Sequence, residues 1–336
     1  MTGPVTGPVT RPVTRPVAGS LADIGERGLI GAVAAMLDQR SDAAGDDPVL
    51  IGPGDDAALV RVGGGQVLVS TDVAVEGRHF RRDWSSAADV GHRIAAANLA
   101  DVAAMGGTPR ALVLALSAPA HLPAQWVLDL AAGLLDECAR VGARLVGGDV
   151  AEADAISAAV TVLGEAPGGV VRRDGARAGD VVAVTGRLGW AAAGLAVLSR
   201  GFRAPRVVVE AHRRPLPPYE QGPLAAAAGA TAMIDVSDGL LADLDQVARA
   251  SAVAVDVRAS ALDLADPLRA VGSALGTDPL RFVLGGGDDH ALAATFSAQT
   301  PLPAGWSAVG SVGHGAGVTV DGVTYEEPTG HRHFSG

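Results

Sequence analysis

The sequence predicts an α/β fold divided between two domains, and three observations carry that prediction. Short apolar, β-branched runs alternate with longer stretches of helical periodicity along most of the 336 residues. Hydrophobic residues make up 48% of the chain but aromatics only 3%, so the core is built mainly of Ala, Val and Leu, which let helices lie close on sheets. A Gly- and Arg-rich stretch, residues 167–180, separates two such alternating regions as a linker. The length suffices for two domains of ordinary size.

Residues 1–20 repeat Thr-Gly-Pro-Val twice and then Thr-Arg-Pro-Val twice. Proline at every fourth position blocks helix and sheet alike, so a disordered tail is expected. Within the first domain, residues 21–166, a helix is expected at 21–40, where Ile24, Leu29, Ile30, Val33 and Leu37 share a face. Glycines around Pro53 turn the chain into a strand, and Gly63-Gly64-Gly65 returns it through residues 66–72, ending in Ser70-Thr71-Asp72. A loop with His79 follows, then a helix over 88–105 on which Asn98 and Asp101, three apart, share a face. Strand 109–117, helix 123–140, a short strand 144–146 broken by Gly147-Gly148-Asp149, and strand 156–164 complete this domain.

The second domain, residues 181–334, opens with a strand at 181–184, the turn Gly186 to Gly189 and a helix to Leu198. Residues 200–219, rich in prolines and paired arginines, read as a surface crossing. Met233, Ile234 and Val236 form a strand running into a helix with Leu240, Leu241 and Leu244, which Asp238 is placed to cap. Strand 253–257, a helix at 267–275, the run Phe282 to His290, strand 306–312 and a hairpin turning at Asp321-Gly322 follow.

Several function classes drop out on composition. A net charge of −11 disfavours a nucleic-acid partner. The single cysteine, Cys138, forbids an internal disulfide framework and fits a reducing cytoplasm. No apolar run approaches the roughly 20 residues of a membrane span, and the prolines and arginines of the N-terminus interrupt any signal peptide. All 26 basic residues are arginine. Without lysine there is no Walker-type phosphate loop, protein-kinase site or Schiff base.

What the composition leaves is a set of aspartates at strand ends beside Gly, Ser or Thr: Asp55, Asp56, Asp72, Asp101, Asp149, Asp235, Asp238, Asp288 and Asp289. Singly, each is more often a turn or cap residue than a ligand. If several converge, their repulsion requires cations. Oxygen-only donors select Mg²⁺ or Ca²⁺. Mg²⁺ bridging carboxylates to phosphates, with an arginine assisting, would answer the missing lysine, so phosphoryl transfer is favoured over calcium storage.

The motifs Gly54-Asp55-Asp56-Ala57-Ala58, Ser70-Thr71-Asp72 with His79-Phe80, Asn98 to Gly106, Gly147-Gly148-Asp149, Arg172 to Ala176, Ile234 to Leu240 and Gly285 to Asp289 occur in order along nearly the whole chain. In these the chain resembles the thiamine-monophosphate kinase family of the aminoimidazole ribonucleotide synthetase-like superfamily. The resemblance implies an N-terminal domain that pairs its sheet in a homodimer and a C-terminal α/β domain. It further implies ATP in the cleft between domains and several Mg²⁺ ions joining ATP to thiamine monophosphate. Carried over, Asp55, Ser70, Thr71, Asp72, Asp101, Asp149, Asp235 and Asp238 would hold metal. Gly148, Asp149, Arg173 and Ser237 would meet ATP, and His79, Asp288 and His331 the acceptor. Among these, Asp55, Asp149, Asp235, Asp238 and Arg173 would carry the reaction, a direct in-line transfer with the acceptor phosphate as nucleophile.

Two departures from the family pattern lie on the acceptor side. Asp288, His290 and Ala291 stand where the family usually has Glu, Tyr and Glu, and His331 stands at a usual aromatic. A family member with another small acceptor, or a non-catalytic sensor of Mg-ATP, are the alternatives these departures leave open.

Overall fold

A computed structural model of the protein describes residues 49–51, 55, 57–62 and 65–325. The expected tail and the helix at 21–40 lie outside the described residues, as do Asp56 and His331.

The chain folds around two sheets with one helix between them. The first has six strands, β1 (Val49–Ile51), β2 (Ala58–Val62), β3 (Gly65–Val75), β4 (Thr108–Ala118), β5 (Arg144–Glu152) and β6 (Ser157–Glu165), in the order β1-β2-β3-β6-β4-β5. All neighbours are antiparallel except β4 and β5. One face is covered by α1 (Ala87–Ala104) and α2 (Ala124–Val141). These helices touch backbone to backbone. A Cβ on Gly91 would fall 1.9 Å from the Leu130 carbonyl oxygen, and one on Gly133 1.9 Å from that of Ala88, so glycine is required at both. The opposite face exposes Val73, Val113 and Leu163, and no helix covers it among the described residues.

The second sheet combines β7 (Asp180–Thr185), β8 (Ala232–Val236), β9 (Ala254–Val257), β10 (Ala291–Ser297), β11 (Ser307–Gly313), β12 (Gly317–Val320) and β13 (Val323–Thr324) in the order β13-β12-β9-β11-β7-β10-β8. Helices α3 (Trp190–Ser199), α4 (Arg206–Arg213), α5 (Gln221–Ala227), α6 (Leu240–Ser251), α7 (Asp266–Leu275) and α8 (Leu280–Gly285) connect its strands. Alternation along the strands sorts two apolar layers. Val182, Val184, Ile234, Val236, Ala291 and Ala293 face the main helical core. Ala183, Met233, Leu292, Ala294 and Phe296 face the other way, against Ala104 of α1 and Ala225 of α5. Asp235, two residues beyond Met233, therefore faces the first sheet's side.

Helix α1 is the shared element, buried on nearly all sides and rich in alanine, which lets it fit between two layers. Its start is a capping box: Ser86 Oγ accepts from the Asp89 amide at 3.2 Å, and Asp89 accepts from the Ser86 amide at 3.0 Å. Both glycines of Gly147-Gly148 continue β5 rather than breaking it, on an edge strand where missing side chains cost little packing. The surface crossing contains a helix, α4, and the apolar run Phe282 to Leu284 is helical rather than extended. The stretch read as a linker is packed against both sheets' elements: Val171 is buried, and its amide donates to the Met105 carbonyl at 3.1 Å.

Candidate functional site

Two walls of polar side chains meet where the sheets approach each other. The first is built on β3 and α1. Ser70 and Asp72 alternate onto the α1 side of the strand. Ser70 Oγ donates to Asp101 Oδ2 at 2.6 Å, and the Asp72 amide donates to Asn98 Oδ1 at 3.2 Å. Asn98 is fully buried and spends its amide nitrogen on the Ile94 carbonyl at 2.9 Å, which fixes its orientation. The helical spacing of Asn98 and Asp101 is thus what serves successive residues of one strand face.

Thr71 points the other way. Its hydroxyl donates to the Val160 carbonyl at 2.9 Å and accepts from Thr161 Oγ1 at 3.0 Å, on the open face of the sheet. A metal role for Thr71 would have to run through its backbone, because strand alternation turns its side chain away.

The second wall is the end of β8, the loop that follows, and the Gly286-to-His290 loop. His290 Nδ1 lies 2.9 Å from Asp235 Oδ2, both groups being buried. The amides of Asp288 and His290 donate to the carbonyls of Ser237 (2.9 Å) and Val236 (3.1 Å), locking the two loops together. A Cβ on Gly287 would sit 2.0 Å from the Ser237 carbonyl oxygen, so this approach needs glycine. Burial alone would lower the His290 pKa. The hydrogen bond to Asp235, the charge of that carboxylate, and the charges of Asp288 and Asp72 outweigh it, and the net shift is upward. The elements that carry the two walls are packed together, Ala104 of α1 against the Met233 layer of β8.

Asp55 and Arg173 close one end. The Arg173 amide donates to Asp55 Oδ2 at 3.1 Å, its Nε lies 3.6 Å from Asp55 Oδ1, and its Nη1 donates to Gln246 Oε1 at 2.9 Å. Gln246 Nε2 continues to Asp243 Oδ1 at 3.1 Å, and Asp243 Oδ2 accepts from the amides of Asp238 and Gly239, both at 3.0 Å. The helix cap expected of Asp238 is not made: α6 starts after Gly239 without a side-chain cap, and Asp243, fully buried inside the helix, instead reaches back to the two amides that precede it. Gly239 is the N-terminal residue, with φ 133°, and Asp238 just before it is half-buried. Burial, then the charges of Asp235 and Asp238, push the Asp243 pKa well above the usual carboxylate range.

Not every expected residue joins these walls. By register Asp149 pairs with Ala115 on the edge strand β5, the face away from the helices. Two strands separate β5 from β3, roughly 14 Å at normal strand spacing. Gly148 shares that edge. Within one chain, neither is brought to the carboxylates. His79 lies in the turn after β3, where its Nδ1 accepts from the Val75 amide at 3.0 Å. Ser237 is exposed on its loop. Asp289 behaves as a cap: its Oδ1 accepts from the Ala191 amide at 3.0 Å at the start of α3, and burial pushes its pKa up to about 7.

Among the described residues, no three Asp, Glu, His or Cys side chains converge as a ready-made metal cage. The donor chemistry nevertheless fits Mg²⁺, which takes one or two carboxylates plus substrate phosphates rather than an all-protein cage. The upward push on Asp243 from Asp235 and Asp238 marks the congestion of negative charge that a cation would relieve.

Comparison with known proteins agrees in both halves. Residues 54–166 match the N-terminal domain, and residues 177–295 the C-terminal domain, of the AIR synthase related protein family. The chain is 49% identical over 286 residues to thiamine-monophosphate kinase of Mycobacterium tuberculosis, covering 84% of each chain. It is 40% identical to that of Corynebacterium glutamicum, covering 84% of this chain and 88% of the other. A solved structure, AaThiL complexed with AMPPCP and TMP, superposes with a TM-score of 0.85 at 31% identity, covering 95% of this chain and all of that one.

Proposed function

The chain belongs to the thiamine-monophosphate kinase family, and we propose that it transfers the γ-phosphoryl group of ATP to thiamine monophosphate, giving thiamine diphosphate and ADP. One observation carries the reading from the geometry: the Ser70–Asp101 and Asp72 wall and the Asp235–His290 wall stand on elements packed against each other. In the transfer the acceptor's phosphate oxygen bonds to the γ-phosphorus as the bond to the ADP oxygen breaks. A phosphate oxygen needs no protein nucleophile and no general base.

What this chain's residues supply is placement. Asp72, Asp101, Asp235 and Asp238 would hold Mg²⁺, with Asp55 and Ser70 beside them. When bound, the ions supply neutralisation of the phosphate oxygens. Arg173, braced by Asp55 and Gln246, is the cation we assign to the nucleotide phosphates, and Ser237 is assigned to the nucleotide with it. Asp288 and His79 remain the acceptor contacts.

The same reading includes a homodimer formed through the open face of the first sheet, where Val73, Val113 and Leu163 are exposed. It also gives Gly148 and Asp149 a place, on the site of a second copy. We assign the protein to the cytoplasm; no helix among the described residues is long and apolar enough to cross a membrane.

Calorimetry tests the assignment against a nucleotide sensor. A kinase binds Mg-ATP and thiamine monophosphate; Mg-ATP binding with no acceptor binding would instead support the sensor.

A further inference from the structure

Arg93 has no part in the reading above, yet its surroundings single it out. It stands on α1, and its side chain is only 15% exposed. Among the described residues, the hydrogen bonds and ion pair of its guanidinium go to the second sheet's half of the chain. Nη2 lies 2.7 Å from Asp288 Oδ2. Nη1 donates to the His212 carbonyl at 3.1 Å and lies 3.2 Å from His212 Nε2.

His212, buried on α4, is the fixed side of this arrangement. Burial, and then the charge of Arg93, push its pKa down to about 3. The ring is therefore neutral and can accept from Nη1 rather than repel it. Asp288 is the side that needs fixing. It has φ 65°, the left-handed region, and its amide is held by the Ser237 carbonyl. Its backbone is thus set by Ser237 and its carboxylate by Arg93. A guanidinium holds both partners at once because its donors are fixed in a planar fork; an ammonium would have to choose.

We propose that Arg93, pinned by His212, is a positioning residue that aims the Asp288 carboxylate at the acceptor. The inference rests on the acceptor role proposed for Asp288. The chemistry suits that acceptor, whose thiazolium ring carries a positive charge and whose aminopyrimidine offers donors to a carboxylate. It also makes α1 the element that couples the sites, since the same helix carries Asn98 and Asp101.

Steady-state kinetics of Arg93→Ala, Arg93→Lys and Asp288→Asn test this. Losing a charge-assisted hydrogen bond of this kind corresponds to roughly 10- to 100-fold. For Arg93→Ala we expect KM for thiamine monophosphate to rise at least about tenfold while KM for ATP changes less than about twofold. Arg93→Lys should recover part of the loss, and serves with Arg93→Gln if the alanine variant does not fold. The double variant Arg93→Ala/Asp288→Asn should lose no more than Asp288→Asn alone. Multiplicative losses in the double variant, or equal rises in both KM values, would overturn the proposal. Unchanged acceptor KM in Arg93→Ala, with the parent active, would count against Arg93 alone. Absence of acceptor-dependent turnover in the parent would remove the kinase reading and this inference with it.

Discussion

Asp243→Ala tests how the loop bearing Asp238 is held. The Asp243 carboxylate is fully buried and accepts three hydrogen bonds, from the amides of Asp238 and Gly239 at 3.0 Å each and from Gln246 Nε2 at 3.1 Å. Alanine leaves two backbone N–H groups at the start of α6 without an acceptor, at about 1–3 kcal/mol each. Against this, the variant removes a carboxylate whose charge burial and the neighbouring Asp235 and Asp238 oppose. The net loss expected is about 2–4 kcal/mol. Asp243→Asn keeps a carbonyl oxygen facing the same amides and should cost only about 1 kcal/mol. Urea titration reads the stability, and initial rates under saturating substrates read the loop. The alanine variant should lose at least about tenfold in kcat through displacement of Asp238. An alanine variant within about 0.5 kcal/mol of the parent, with unchanged kcat, would refute the argument.

Asp289, with its pKa raised to about 7 by burial, favours the protonated folded state. Its contribution to stability is fully present below the unfolded pKa near 4 and is lost as pH rises toward 7, so Asp289→Asn should flatten the fall in Tm over that interval. Glu137 is fully buried between α1, α2 and the segment before α5, touching His92 Nδ1 at 2.9 Å, Arg140 Nη1 at 2.6 Å and the Tyr219 hydroxyl at 2.5 Å. Burial would raise its pKa, but the His92 and Tyr219 bonds outweigh this and lower it, so its stabilisation is present above the unfolded pKa near 4.3 and is lost on acidification. Glu137→Leu should destabilise by about 3–5 kcal/mol at pH 7 in chemical denaturation, because His92 and Arg140 are left without their carboxylate. If Asp149 serves the site of a second copy, mixing inactive Asp149→Ala and Asp238→Ala chains should restore part of the turnover through mixed dimers. No recovery, with mixed dimers verified by mass, would return Asp149 to its own chain or to no role.

The helical half of the first wall is legible in the sequence, because Asn98 and Asp101 at a spacing of three share a face, whereas Ser70 and Asp72 enter through the family resemblance. The sequence hid what depends on contacts distant in sequence. Asp243 sits inside α6 and accepts from amides four and five residues back, so no pattern at the helix start points to it. Arg93 likewise reads as a solvated helix residue, yet it meets Asp288 and His212 across the chain. Strand β10 went unread because Ala291 to Ala294 carry no β-branched side chain, although it is the central partner of β7 and β8. Helix α4 was masked by prolines on either side, with Pro205 immediately before it. Thr71 shares a motif with Ser70 and Asp72 but not a strand face, a distinction that alternation could have supplied. The separation of Asp149 from the cluster follows from strand order, which no local pattern encodes.

The proposed function requires the two walls to hold ATP and thiamine monophosphate for direct transfer. Its most direct test is ADP release by the purified protein in Mg-ATP, measured with and without thiamine monophosphate. Release should depend on the acceptor, be matched mole for mole by thiamine diphosphate, and be abolished by Asp238→Asn with the fold intact. ADP release indifferent to thiamine monophosphate, or full activity in Asp238→Asn, would contradict it.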